Sequence, residues 1–174
     1  PVAPLGAYGR TKLDGERAVA AAGGPHAILR TAWVFSAHGG NFVKTMLRVG
    51  ATRDRLTVVD DQRGGPTAAA DIASALVVMA RAFKSGAGVS GVYHFAGAPT
   101  VSWREFAVEI FRQADWMTAP EVAPIATEDW PTPAARPKNS ALDCAKIAAD
   151  YGVAQPDWRA SLGEALSEIR KAAR

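Results

Sequence analysis

The stretch Gly23-Gly24-Pro25-His26-Ala27-Ile28-Leu29-Arg30-Thr31-Ala32-Trp33-Val34-Phe35 decides the fold class. Ahead of it, Lys12 to Ala22 is rich in helix formers, and the Gly-Gly-Pro run stops that helix. Behind the breaker, β-branched and aromatic residues crowd into a run bounded by Ser36-Ala37-His38-Gly39-Gly40, which predicts one strand over residues 26–35. A helix handing over to a strand in this way is the repeating unit of an α/β protein.

The same alternation continues outward. Asn41 can cap a helix that places Phe42, Val43, Met46, Leu47 and Val49 on one apolar face, weakened at its end by Gly50. Leu56 to Val59 reads as a short strand, and Asp60 to Thr67 as a loop with polar side chains available to a ligand. Asp71 to Phe83 is a largely apolar helix ended by Gly86 and Gly88, and Gly91 to Gly97 is a strand. Ser102-Trp103-Arg104-Glu105 matches a capping box ahead of Phe106, Ile110 and Phe111. Beyond Trp116, Pro120, Pro124, Pro131, Pro133 and Pro137 punctuate a stretch that reads as too irregular for a central strand. It fits a wrapped substrate-side loop or a linker, with Trp116, Met117 and Trp130 favouring packing. A helix over 142–151, ended by Gly152, and a last helix with Leu162, Ala165, Leu166 and Ile169 on one stripe complete the chain. The expected fold is α/β with a mainly parallel sheet and a less regular C-terminal part.

At 174 residues the chain fits one domain of common size with a real core. A net charge of +3, with basic residues scattered among acidic ones, argues against nucleic acid as partner. The single cysteine, Cys144, excludes an internal disulfide, and His26, His38 and His94 form no familiar metal motif. Asp60-Asp61 reads as a solvated turn, since no third ligand stands at a useful spacing. The longest apolar stretch, around Ala73 to Ala80, falls far short of the roughly 20 residues of a membrane span. No signal-peptide pattern opens the chain, so the expectation is a cytoplasmic protein without membrane partners.

Chemistry concentrates in Tyr8-Gly9-Arg10-Thr11-Lys12. Residues four apart on a helix share a face, so the Tyr8 phenol and the Lys12 ammonium can point into one pocket. A phenol with a cation beside it can serve as a proton donor, because the cation favours the phenolate. In open α/β sheets ligands bind outside the carboxyl ends of strands, which puts Trp33 to Gly40 where a substrate sits. Trp33 stands evenly between substrate contact and core packing, whereas Met46 reads as core filling and His94 as a structural strand histidine. Arg136-Pro137-Lys138-Asn139-Ser140 brings two cations and an amide together, either as solvated surface or as a phosphate site.

Taken in order, Tyr8-Gly9-Arg10-Thr11-Lys12, Leu29-Arg30-Thr31-Ala32-Trp33-Val34-Phe35, Val59-Asp60-Asp61-Gln62, Pro66-Thr67 with Asp71, Tyr93-His94, Ser102-Trp103 and Arg136-Pro137 with Asn139-Ser140 and Leu142-Asp143 resemble the dTDP-4-dehydrorhamnose reductases of the extended short-chain dehydrogenase/reductase superfamily. The resemblance runs from about Tyr8 to Leu162. It implies the C-terminal portion of a Rossmann-like fold, with residues 1–100 completing a dinucleotide-binding domain around the catalytic helix. Residues 101–174 then form mainly the substrate-binding part, intertwined with the first. It implies reduction of the C4 ketone of dTDP-4-dehydro-L-rhamnose to dTDP-L-rhamnose by NADPH or NADH, with Tyr8 as proton donor and Lys12 holding the nicotinamide ribose. Thr31 falls with Tyr8 and Lys12 on the cofactor side, and Trp33, Asn41, Gln62, Arg63, Thr67, Arg136 and Asn139 on the side of the dTDP-sugar.

The family's opening strand, Gly-rich turn and helix find no match here, since Gly23-Gly24, Gly39-Gly40 and Gly64-Gly65 lack the pattern. The family's catalytic Ser or Thr also falls ahead of Tyr8. The loop-like start at Pro1-Val2-Ala3-Pro4-Leu5-Gly6 accordingly reads as the later part of a longer reductase, inactive by itself, whose uncovered apolar face could be hidden in a homodimer. Two other readings compete: a reductase-like regulatory subunit without catalysis, and a nucleotide-sugar epimerase or dehydratase that recycles NAD.

Overall fold

A computed structural model describes residues 2–132, 134 and 136–173; Pro1 and Pro133 lie outside them. The order is α1 (Ala7–Ala21), β1 (Ala27–Arg30), β2 (Val34–Phe35), α2 (Phe42–Gly50), β3 (Arg55–Val59), β4 (Arg63–Gly64), β5 (Thr67–Ala68), α3 (Ala69–Lys84), β6 (Gly91–His94), β7 (Val101–Ser102), α4 (Trp103–Gln113), β8 (Glu121–Ile125), a 3-10 turn (Thr127–Asp129), α5 (Ala145–Tyr151) and α6 (Trp158–Ala172). Strands pair two by two. β1 runs parallel to β6 with Leu29 opposite Tyr93, β2 parallel to β5, and β3 parallel to β8 with Leu56 opposite Val122. Only β4 with β7 is antiparallel among these named pairs. The mixed α/β architecture with predominantly parallel pairing is the one the alternation of elements predicts.

The strand expected over 26–35 is in fact two. Trp33 adopts a left-handed backbone, φ 51, which ends β1 and redirects the chain so that β2 joins a different partner. A second correction concerns the Pro-rich stretch, which contains β8, a regular strand with Pro124 opposite Val58. The Glu121 N–H donates to the Asp54 carbonyl at 2.8 Å. Donors facing a parallel partner recur at every second residue, so the Pro124 nitrogen falls on the outer edge, where a missing N–H costs no ladder bond. The strand expected over 91–97 stops earlier: its last bond to β1 runs from the Phe95 N–H to the Arg30 carbonyl at 2.9 Å, after which the Gly97 N–H turns to Thr67 Oγ1. The helix expected from Leu142 starts at Ala145, because Asp143 Oδ1 accepts the Ala145 N–H at 2.9 Å in a turn of its own.

Helix ends follow the sequence closely. Asn41 caps α2 by accepting the Lys44 N–H, and Asp157 caps α6 by accepting the Arg159 N–H. Ser102 and Glu105 form the full reciprocal box at α4. One core cluster joins Phe35, Val43 and Ala68 to Phe106, Ile110, Trp158, Leu162 and Leu166, so the segments on either side of residue 100 share their interior. A second gathers Met79, Tyr93, Phe95 and Ile147, and a third packs α4 on the β3–β8 pair through Leu56, Val58, Phe111 and Val122. α1 differs from every other long helix in burying no residue at all. Among the described residues no helix is long and apolar enough to cross a membrane.

Candidate functional site

Two cavities gather the candidate residues, and Trp33 is linked to a lining residue of each. The first is an open groove of about 600 Å³ between α1 and the end of β1, lined by Tyr8, Lys12, Glu16, Arg30, Thr31 and Ala32. Tyr8, Lys12 and Glu16 are successive four-residue steps on α1, so the helix presents all three along one face. Tyr8 is 78% exposed, and the Lys12 ammonium stands 5.4 Å from the centre of its ring. Among the described residues Lys12 makes no ion pair, which leaves its three donors available. Glu16 is committed: Arg30 Nε and a terminal guanidinium nitrogen donate to its two oxygens at 2.8 and 2.5 Å. This hydrogen-bonded pairing holds the Glu16 carboxyl below its ordinary range and raises the Arg30 guanidinium further.

The second cavity, of about 400 Å³, is an aromatic pocket between α2, the β3–β8 pair and α4. Phe42, Met46, Trp103, Trp130 and Ile125 supply its apolar walls, Gln62 and Arg136 its polar ones. Trp33 follows Ala32 of the groove and stacks on Trp103 of the pocket, with ring centroids 3.6 Å apart and planes 9° from parallel.

The remaining sequence-derived candidates fall into distinct settings. Thr31 lines the groove and Arg136 the pocket. Gln62 lines the pocket but is only 6% exposed, and both ends of its amide are engaged, accepting from Trp103 Nε1 at 3.2 Å and donating to Thr127 Oγ1 at 3.1 Å. Arg63 is tied down by the Thr100 carbonyl and Glu105, and its backbone joins it to Lys138 and Ser140. Asn41 spends its side chain on the α2 cap and on the Ser36 carbonyl, and Asn139 accepts the Ala141 N–H. Thr67 is fully buried, its hydroxyl donating to the Gly65 carbonyl and accepting from the Gly97 N–H. The structure thus brings Tyr8, Lys12 and Thr31 to one cavity and Gln62 and Arg136 to the other, and keeps Thr67 and Asn41 within the scaffold.

The Asp60-Asp61 doublet is no solvated turn, a correction to the sequence reading. Asp60 accepts from the Ser102 hydroxyl and lies 3.7 Å from Arg104. Asp61 accepts both the Thr127 N–H at 2.9 Å and its hydroxyl at 2.6 Å, and pairs with Lys138 at 3.1 Å. The Thr127 bonds, aided by Lys138, hold its carboxyl below the usual range. Both carboxylates therefore act as anchors between the end of β3 and later elements. No group of three or more metal-ligating side chains occurs among the described residues. Sequence reasoning passed over the pocket walls Phe42, Trp103 and Trp130, whose signal was aromatic density on three separate segments. Met46, read as core filling, packs on the core and also faces the pocket.

Comparison with known proteins matches residues 1–171 to the family model described as RmlD substrate binding domain. The chain belongs to this family. An RmlD substrate binding domain accounts for the sequence signatures that resemble the reductases. The dTDP-4-dehydrorhamnose reductase of Aggregatibacter actinomycetemcomitans is 46% identical over 164 residues, covering 91% of this chain and 56% of the relative. A crystal structure of a dTDP-4-dehydrorhamnose reductase from Clostridium acetobutylicum superposes with a TM-score of 0.88 at 38% identity, over 98% of this chain and 58% of that one. The structure of the Bacillus anthracis enzyme, in complex with NADP, does so with a TM-score of 0.85 at 35% identity, over 95% of this chain and 56% of that one. The chain spans about half the length of the curated relatives it matches.

Proposed function

We infer that the protein carrying this RmlD substrate binding domain reduces the C4 ketone of dTDP-4-dehydro-L-rhamnose to the alcohol, giving dTDP-L-rhamnose. The observation that carries this reading is the pairing of Tyr8 and Lys12 at an open groove, next to an aromatic pocket that holds a guanidinium. A nucleotide-sugar needs that combination: apolar walls for a base, a cation for the diphosphate, and a proton donor where the sugar ends. The reductases of similar sequence and the NADP in one related structure support it.

The groove suits a reduced nicotinamide cofactor. It is open, lies along the face of α1 that carries Lys12, and is also lined by Thr31. NADPH or NADH, when bound, supplies the hydride for the ketone carbon. Lys12 would hold the ribose of that cofactor, and its charge would compensate the phenol oxygen as the Tyr8 proton moves to the C4 oxygen of the sugar. The exposed Tyr8 phenol is accessible to a ketone entering past Trp33. Arg136, at the far pocket, meets the diphosphate and orients the sugar towards the groove.

The test follows oxidation of NADPH or NADH by the complete protein on addition of dTDP-4-dehydro-L-rhamnose. Tyr8→Phe is expected to lower turnover by about two to four orders of magnitude while leaving dTDP binding in place. Undiminished turnover removes Tyr8 from the reaction. No substrate-dependent oxidation by the unaltered protein refutes the reductase reading.

A further inference from the structure

A tryptophan at φ 51 is uncommon, because a left-handed backbone crowds the Cβ of a bulky residue against its own carbonyl. Its surroundings therefore have to hold it. The Trp33 carbonyl accepts the Thr67 N–H at 3.1 Å, which fixes the backbone against β5. The ring has two restraints of its own. A Cβ on Gly64 would stand 2.6 Å from Trp33 Cε2, so the indole edge occupies space that only the absent side chain leaves open. Trp103, the first residue of α4, covers the ring by close stacking.

Trp103 is itself locked from two directions. Phe42 tilts against it at 4.6 Å, and its indole N–H donates to Gln62 Oε1. Gln62 cannot turn, because its amide nitrogen donates to Thr127 Oγ1, and the Thr127 hydroxyl proton is committed to Asp61. A buried amide with both ends engaged has one low-energy orientation, since any other leaves a polar group unpaired. The chain Asp61–Thr127–Gln62–Trp103 thus ends on the ring plane of Trp33.

We propose that Trp103, oriented by Gln62, is the positioning residue that sets the Trp33 ring between the aromatic pocket and the Tyr8 groove. The proposal rests on the reductase reading for its catalytic consequence, because a sugar joining the two cavities passes Trp33. An error of about 1 Å in the sugar's placement is enough to cost about 100-fold in rate.

Two measurements separate the ring geometry from that reading. Closely stacked indoles couple excitonically and give a paired positive and negative band in circular dichroism. The unaltered protein should show this couplet. Gln62→Leu keeps all five tryptophans and should lose most of it. Thr127→Val, which alters neither cavity lining, should weaken it in the same way by releasing Gln62 and serves if Gln62→Leu fails to fold. In the complete protein both variants should lower kcat about ten- to hundredfold, and Thr127→Val should do so with KM for the reduced nicotinamide and Kd for dTDP changed by less than about threefold. A couplet absent from the unaltered protein, or unchanged in both variants, overturns the assignment of Trp103. A couplet that is lost while kcat stands unchanged overturns the positioning role. If the unaltered protein oxidises no NADPH or NADH with the dTDP-sugar, the reductase reading fails separately, and the couplet still decides whether Gln62 and Trp103 set the ring.

Discussion

Replacing Glu16 by Gln tests how the Tyr8 helix is held. α1 buries no residue, and its pairing to β1 rests on two guanidinium bonds from Arg30 at 2.8 and 2.5 Å. The side chains of Arg30 and Glu16 are 31% and 18% exposed, so the pair is sheltered without being dry. Hydrogen bonds to charged groups contribute about 1.5–3 kcal/mol, and partial hydration places this bidentate pair at about 1–3 kcal/mol in total. Because α1 adds little to the core, the loss should appear as local opening. Amide hydrogen exchange along α1 should accelerate about 5- to 150-fold, since each 1.4 kcal/mol is a factor of ten. A double-mutant cycle with Arg30→Met should return the same coupling.

The pH dependence has a definite sign. Glu16 has its carboxyl depressed in the folded state, chiefly by the Arg30 bond, so its contribution is fully present above the ordinary carboxylate pKa of about 4.3. It fades as the pH falls through the lower folded value, where protonation breaks the pair. In Glu16→Gln, α1 protection should show a weaker dependence across that acid window. Unchanged α1 exchange, or a coupling energy below about 0.3 kcal/mol, refutes the claim that this pair fastens the helix.

Two further substitutions probe the scaffold. Trp158→Ala removes a fully buried ring that meets Phe106 edge-on at 5.2 Å and donates to the Pro99 carbonyl at 2.8 Å. Its denaturation midpoint should fall by an amount corresponding to about 3–5 kcal/mol, and a loss below about 1 kcal/mol contradicts this account of the core. Ser102→Ala strips the α4 capping box and leaves Asp60 without its hydroxyl partner, so equilibrium unfolding should show a loss of about 1–2 kcal/mol. A change within about 0.3 kcal/mol counts against the cap.

The helices were legible because their signals are local. Asn41 and the Ser102–Glu105 box stand next to the apolar faces they introduce, and the structure forms each cap with the expected atoms. Strand boundaries were less so. Nothing near Trp33 announces a left-handed backbone, because what stabilises it lies at Thr67, Gly64 and Trp103, far along the chain. Pro124 suggested irregular structure, yet its orientation in the β3–β8 ladder depends on a register that only the folded pair defines. At the candidate site, the Tyr8–Lys12 spacing is a property of one helix and could be read directly. The aromatic pocket could not, since Phe42, Trp103 and Trp130 meet only in three dimensions. The doublet Asp60-Asp61 misled for the same reason: its partners Ser102, Thr127 and Lys138 are remote in sequence.

The parallel pairing of β3 with β8 has a thermodynamic consequence for whatever fills the aromatic pocket. At its end, Asp61 holds Thr127 across 66 residues of chain, and closing a loop of that length costs about 4 kcal/mol of entropy. The pocket walls run from Phe42 to Arg136 and meet only when segments this remote in sequence are brought together. The unfolded chain therefore has no vestige of the site, and occupancy is linked to the folded unit as a whole. A ligand at about 100 times its dissociation constant adds about 2.7 kcal/mol to global stability. A shift in melting temperature consequently reports pocket occupancy even when no reaction follows.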